Sequence, residues 1–322
     1  MQFITRQGWS CGETNLPFPD LPGPSAHRIA LHVAAPAERA IRQGHPWVFD
    51  QSIIEQSHSG VPGDLAVIFD AKRGFMAIGL YDPTSPIRVR ILQKGKPATI
   101  DQNWFQKKIT SAATLRAPLK SQNTNGYRLV HGENDGLPGL VIDRYAETLV
   151  IKLYTPAWIP HLNEVCSALE NVQPHERLIL RLSRSLNKQT KYLYGLTDGI
   201  NLSGSSLENQ ASDGLLLFKE NGLTFECDPI NGQKTGFFLD QRENRARVKT
   251  LSKGKSVLNV FSYTGGFSIY AADGGAKIDF LIEFEFRNFV LQALADSNRD
   301  YAVSRIIEAF SDEAEERYEQ AR

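Results

Sequence analysis

The sequence predicts an α/β chain with an added β domain, and three observations support that expectation. Ser256–Phe261 is a short apolar run of strand length, followed by a Gly265-Gly266 turn and the helix-like Phe267–Ala272. Between Arg28 and Lys94, short strand-like runs alternate with turn residues. From Asn125 to Leu182 the pattern reads strand, turn, strand, strand, helix, strand, an α+β arrangement. The expected layout is a flexible leader over 1–27, a barrel over 28–95, a central α+β domain over 96–212 and a partial α/β domain over 213–322.

Composition narrows the class. The chain has 322 residues, 41% hydrophobic and 22% charged, enough for more than one core. Lys plus Arg and Asp plus Glu are both 36, so the net charge is zero. That excludes a broad polyanion binder and confines any nucleic-acid contact to a local patch. Cys11, Cys166 and Cys227 are far apart and lack metal-ligand spacing, so neither a disulfide framework nor a zinc site is expected. No apolar run reaches membrane-spanning length, and the N-terminus lacks a basic segment leading into an apolar one. The expected setting is the cytoplasm, with no membrane partner.

Taken in order, the proline- and glycine-rich stretch up to His27 has no periodicity and reads as a leader. Ile29–Val33 alternates, Ala35–Arg42 is helical with Pro36 near its start, and His45-Pro46-Trp47-Val48-Phe49 follows. Leu65–Phe69, Gly74–Leu80 and Ile87–Leu92 are strand-like, and a small barrel is the economical way to remove their exposed edges. Arg88 and Arg90, one strand period apart, join Arg42 and Lys72 as a candidate basic patch. His45 and Trp47 are readable either as nucleic-acid contacts or as core aromatics.

Ile100–Ala117 reads as a helix capped by Asp101 and stopped by Pro118. Strands follow before and after the Asp135-Gly136 and Pro138-Gly139 turns, then at Leu149–Leu153, a helix at Trp158–Leu169 and a strand at Leu178–Leu182. Asp143 and Arg144 read as a cross-strand ion pair of little consequence. Ser183–Glu208 lacks periodicity and is expected to be a loosely ordered excursion. Leu215–Phe218 and Leu223–Cys227 form a hairpin on an Asn221-Gly222 turn.

Two stretches suggest chemistry. A glycine turn between a strand and a helix brings backbone close to a ligand at the strand's carboxyl end. Lys277–Ile282 reads as the next strand, and Glu283 at its end, about 20 residues past the glycines, suits a ribose diol. Glu283 and Glu285 could instead be a solvated strand end. The spacing lacks the G-x-G-x-x-G fingerprint, which disfavours a nicotinamide-dependent oxidoreductase. Upstream, Phe237 and Phe238 would form an apolar wall, or pack as core aromatics at a helix start. Gln241 and Arg242 would form a polar fork for a carboxylate.

Gly232-Gln233-Lys234-Thr235-Gly236-Phe237-Phe238-Leu239-Asp240-Gln241-Arg242, with Asn244-Arg245 after it, resembles the signature of one family. These are the class I S-adenosylmethionine-dependent methyltransferases with an N-terminal PUA domain that modify cytosine C5 in large-subunit rRNA. The Phe261–Phe267 turn resembles their first methyltransferase motif, His45–Phe49 their PUA domain, and Arg128–Tyr145 their central domain. The resemblance implies a Rossmann-like C-terminal domain, S-adenosylmethionine as cofactor, large-subunit rRNA as partner and a homodimer. Cofactor contacts would then be Lys234, Thr235, Phe237, Phe238, Gln241, Arg242, Phe261, Tyr263, Thr264, Gly265 and Glu283. Arg128, Glu133 and Asp135 would line the substrate channel.

The chain departs from that family after Glu283. It reaches Arg322 well short of the roughly 200 residues such a sheet occupies, and reads as C-terminally truncated. The Asp-Pro-Pro motif and the cysteine nucleophile that the resemblance calls for are not found. Methylation at C5 needs a thiolate adding at C6 of a base taken out of its stack, and no cysteine here stands at that place. No catalytic residue is therefore assigned. The alternative to an active methyltransferase is an RNA-binding remnant without turnover.

Overall fold

The barrel strands form because their apolar residues alternate at period two. In β1 (Arg28–Val33) Ile29, Leu31 and Val33 point inward and are buried. The structure is a computed structural model that describes residues 21–205, 207, 214–260 and 262–277. Helix α1 (Ala35–Arg42) opens on Pro36 and buries Ile41. Next come β2 (Trp47–Phe49), β3 (Ile53–Gln56), β4 (Leu65–Phe69), β5 (Phe75–Tyr81) and β6 (Ile87–Lys94). Their order is β2-β6-β5-β4-β1-β3, antiparallel except for β1 beside β4.

The two edge strands of that sheet, β2 and β3, are joined only by the helical turn Asp50–Ser52. A flat six-stranded sheet would hold its edges about 24 Å apart, whereas this link reaches roughly 14 Å. The sheet therefore curls on itself, as the expected barrel requires. Ile29, Leu31, Val48, Ile68, Ala77 and Val89 fill its core. Strand β3 escaped the sequence reading because it lacks alternation, and Ile54 is exposed.

In the central domain, Asp101 caps α2 (Gln102–Arg116) by accepting the Trp104 N–H at 2.8 Å. Strands β7 (Gly126–His131), β8 (Leu140–Tyr145), β9 (Thr148–Leu153), β10 (Arg177–Leu182) and β11 (Asn201–Gly204) pair in the order β11-β10-β9-β8-β7. Only β9 and β10 are parallel, and α3 (Leu162–Val172) is their crossover. It begins later than expected, because Pro156–His161 is a tighter helical turn containing Pro160.

Two expectations are corrected here. Ser183–Glu208 is not a loose excursion: β11 pairs with β10, and Leu186, Leu193, Leu196 and Leu202 enter the main core. Their irregular spacing matches neither the helical nor the strand period, so pattern reading passes over them. Leu21, assigned to the leader, also packs in that core.

The hairpin of β12 (Leu216–Glu220) and β13 (Leu223–Cys227) turns on Asn221 and Gly222, both at positive φ, as expected. It docks on the entry to β7. Asn125 donates its N–H to the Lys219 carbonyl at 2.9 Å, and the Lys219 N–H returns to Asn125 Oδ1 at 2.6 Å.

The chain divides into two compact units, Met1–Arg242 and Glu243–Arg322. Helix α4 (Arg242–Leu251) opens the second, and α5 (Gly266–Asp273) follows the glycine turn. The strand expected at Ser256–Phe261 is reduced to one parallel bridge, Ser256 to Lys277. Leu258 and Val260 are 86% and 60% exposed. A parallel strand persists when neighbours flank it and both faces are covered, and among the described residues only Lys277 pairs with this run. The rest of the expected second strand lies outside the described residues.

Candidate functional site

The signature loop starts from an Asx turn: Asp228 Oδ1 accepts the N–H groups of Ile230 and Asn231 at 2.8 and 2.7 Å. Gly236 stands at φ +119°, and a Cβ there would lie 2.8 Å from the Asp228 carbonyl oxygen, so no other residue fits. Three side chains of the central sheet hold the loop. Arg181 donates to the Pro229 carbonyl, Lys152 Nζ donates to the Lys234 carbonyl at 2.6 Å, and Asp143 accepts the Thr235 hydroxyl at 2.5 Å.

Asp143 is the hub of this junction. Fully buried, it also takes Arg128 Nε and Nη2 at 2.8 and 3.1 Å, and Thr235 Oγ1 lies 3.1 Å from the Tyr145 hydroxyl. Burial pushes the Tyr145 phenol well above its ordinary range, and the Asp143 charge adds to that shift. The sequence reading paired Asp143 with Arg144 and gave the pair little weight. Arg144 instead pairs with Glu147 at 3.1 Å. The hub escaped because its partners lie 15 and 92 residues away in sequence.

Of the eleven residues nominated for the cofactor, the structure sends two inward. Thr235 is fully buried on Asp143, and Phe237 is 1% exposed among Phe218 and Phe225, ring centroids 5.0 and 5.2 Å away. Phe237 thus adopts the core alternative, since an aromatic cluster buries more apolar area than a cleft edge. Phe238 stays half-buried at the surface, with Lys234 Nζ 4.5 Å from its ring centroid. The same Nζ meets both oxygens of Asp240 at 2.9 Å. Burial raises the Asp240 carboxyl pKa, and the Lys234 contacts outweigh it, leaving the value lowered. Gln241 and Arg242 follow at the entry to α4, both half-buried.

In the second unit, Gly265 N–H donates to the Ser262 carbonyl at 2.9 Å, closing the turn. Gly265 is at φ +70° at the start of α5, and nothing lies within 4 Å of where its Cβ would be. Tyr263, at φ 53°, is 44% exposed, and Thr264 is half-buried. Asn259 Nδ2 donates to Ser268 Oγ at 2.9 Å, tying the run before the turn to the helix after it. Phe261 and Glu283 lie outside the described residues, as does Cys11.

The three residues nominated for a substrate channel have structural partners. Arg128 sits on Asp143, Glu133 accepts the Trp47 Nε1–H at 3.0 Å, and Asp135 takes Arg116 through two bonds of 2.8 and 2.7 Å. Asp135 also caps the turn by accepting the His131 N–H at 2.6 Å. Trp47 is neither a free contact nor a barrel-core residue but a link to the central domain. Both described cysteines are buried: desolvation pushes Cys166 up to about 12, and Cys227 higher.

A curled barrel, a mixed central sheet and a glycine turn opening a helix define an α/β protein with a β-barrel attachment. Residues 31–94 match the PUA-like domain family, and residues 127–296 match the S-adenosylmethionine-dependent methyltransferase family. The chain is 45% identical over 288 residues to a "Ribosomal RNA large subunit methyltransferase" of Deinococcus radiodurans, covering 88% of this chain and 68% of that protein. It is 34% identical over 250 residues to a "Ribosomal RNA large subunit methyltransferase I" of Aliivibrio fischeri strain MJ11, covering 77% and 61%. A solved structure assigned as a SAM-dependent methyltransferase from Streptococcus mutans shares the fold, with TM-score 0.63, 24% identity and 77% and 61% coverage. The chain belongs to the S-adenosylmethionine-dependent methyltransferase family, with a PUA-like domain ahead of the methyltransferase region. It spans 68% of the Deinococcus relative and about three-fifths of the Aliivibrio relative.

Proposed function

We propose that this chain is an S-adenosylmethionine-dependent methyltransferase acting on large-subunit rRNA, with cytosine C5 as the modified position. The observation that supports it most is the 45% identity to the Deinococcus radiodurans protein, which extends over 88% of this chain.

S-adenosylmethionine supplies an electrophilic sulfonium methyl when bound. The Gly265 turn fits such a group, because its positive φ and the empty space at its Cβ position let a ligand approach backbone N–H groups. Gln241 and Arg242 offer donors for a carboxylate, Phe238 an apolar surface, and Tyr263 and Thr264 flank the turn. Thr235 and Phe237 act one layer back, holding the loop that carries Phe238 and Gln241. Lys234 orients Asp240. The thiolate that C5 chemistry requires is not Cys166 or Cys227, since both are buried and held protonated. That observation favours a second reading, an RNA-binding chain without turnover. A homodimer and a cytoplasmic setting belong to the first reading.

Calorimetry with S-adenosylmethionine on the 322-residue chain tests the proposal. Micromolar binding, weakened about tenfold in Arg242→Ala, is the expected result. A well-folded chain that gives no binding heat would sink the cofactor assignment. Methyl transfer to large-subunit rRNA from radiolabelled cofactor then separates the two readings.

A further inference from the structure

Three of the basic residues that the sequence nominated as a patch are already neutralised. Arg42 meets Asp70 at 3.0 Å, Arg88 lies 3.9 Å from Asp50, and Arg90 lies 3.6 Å from Asp82. A different pair of cations is not neutralised. Lys94 ends β6 and Lys108 lies on α2. Lys108 Nζ is 5.1 Å from the Trp104 ring centroid, and among the described residues it has no hydrogen-bond acceptor or carboxylate partner. Burial lowers its pKa, and the nearby positive charge of Lys94 lowers it further.

The surroundings suit one kind of ligand. Lys94 Nζ donates to the Gly44 carbonyl at 3.0 Å, which sets it beside His45. His45 begins a row of edge-to-face rings, with His45 and Trp47 centroids 5.8 Å apart and Trp47 and Phe49 centroids 6.4 Å apart. His45 and Phe49 are exposed. The Trp47–Glu133 bond fixes this barrel edge against the turn that contains Gly136. A Cβ on Gly136 would lie 3.1 Å from Lys108 Nζ, so the same turn borders the second ammonium.

Two like charges held together without a counter-ion repel each other, and an anion between them relieves that repulsion. Anionic phosphates spaced between stackable rings are what a single-stranded nucleic acid presents. We infer that Lys94 and Lys108, with the exposed rings of His45 and Phe49, form a backbone-and-base site for single-stranded RNA at the seam between barrel and central domain. The inference rests on the rRNA reading above and adds where the strand is held.

The test is fluorescence anisotropy on the 322-residue chain, using a labelled mixed-sequence single-stranded RNA of about 12 nucleotides across a salt series. Lys94→Gln and Lys108→Gln should each reduce the log–log salt slope by about 0.7, and the double variant by about 1.4. Phe49→Ala should weaken binding about tenfold with the slope unchanged. Arg42→Gln, which alters a cation already paired, should leave the slope as it is. Lys94 and Phe49 are exposed, so these two variants keep the fold even where Lys108→Gln does not. If the chain binds RNA and the lysine variants keep the wild-type slope, the site is overturned while the rRNA reading stands. If the slope falls but Phe49→Ala binds normally, the site holds phosphate alone and its base-stacking half is overturned. If the wild-type chain binds no RNA at any salt, the rRNA reading itself fails and the site fails with it.

Discussion

The loop before α4 and the glycine turn before α5 both stood out in the sequence as ligand-binding, yet they are built on opposite principles. The loop is held from beneath: Asp143 takes Arg128 and Thr235, Lys152 and Arg181 hold loop carbonyls, and Phe237 anchors an aromatic cluster. The turn has open space at Gly265 and exposed side chains at Tyr263, Leu258 and Val260. Changes under the loop should therefore appear first as lost stability. Those in the turn should appear first as lost binding.

Asp143→Ala breaks this contrast most severely. It leaves Arg128 without its carboxylate in a largely buried position, and should cost about 3–5 kcal/mol in denaturant unfolding. A loss under about 1 kcal/mol would mean that the junction does not hold the loop. Phe237→Ala should cost about 3 kcal/mol by opening a cavity between Phe218 and Phe225. A ligand role for that ring would instead show as weakened S-adenosylmethionine binding at unchanged stability.

A glycine pair sharpens the same point. Gly236→Ala meets the Asp228 carbonyl and should lose roughly 2 kcal/mol, whereas Gly265→Ala has only its φ strain, about 1 kcal/mol. Chemical denaturation would rank the two variants. Calorimetry should rank them in the reverse order for cofactor binding, and equal stability losses would erase the distinction between loop and turn.

The smallest effect concerns pH. Asp240 has a lowered pKa in the folded chain, so its contribution to stability is present above its ordinary value near 3.8 and is lost as pH falls through the lowered one. Its side chain is 38% exposed, and screening by solvent keeps the contribution below about 1 kcal/mol. Asp240→Asn should accordingly flatten the acid limb of the stability profile slightly. An unchanged limb would mean that the Lys234 contact contributes nothing.

Local signals made much of the fold legible. The Asn221-Gly222 hairpin, the Asp101 cap, the alternation of β1 and the crossover from β9 to β10 each depend on residues a few positions apart. The elements that escaped have no such local signature: β3, β11 and the scattered leucines from Leu186 to Leu202 are fixed by what packs on them. The site divides the same way. The positive-φ glycines at the loop and turn could be read from sequence, because only glycine tolerates that backbone at little cost.

Which cations stay unpaired could not be read that way. Arg42, Arg88 and Arg90 looked available until Asp70, Asp50 and Asp82 came beside them. Lys94 and Lys108 were unremarkable until β6 and α2 brought them together. The inward turn of Phe237 likewise depended on Phe218 and Phe225 across the hairpin. By itself the sequence determined the order of elements, the turns and the family, because these follow from residue types at short spacing and from extended identity. Tertiary structure alone decided which charges are satisfied and which aromatics are buried. Those depend on distances between residues far apart in the chain, and electrostatic energy and apolar burial both act over only a few ångströms.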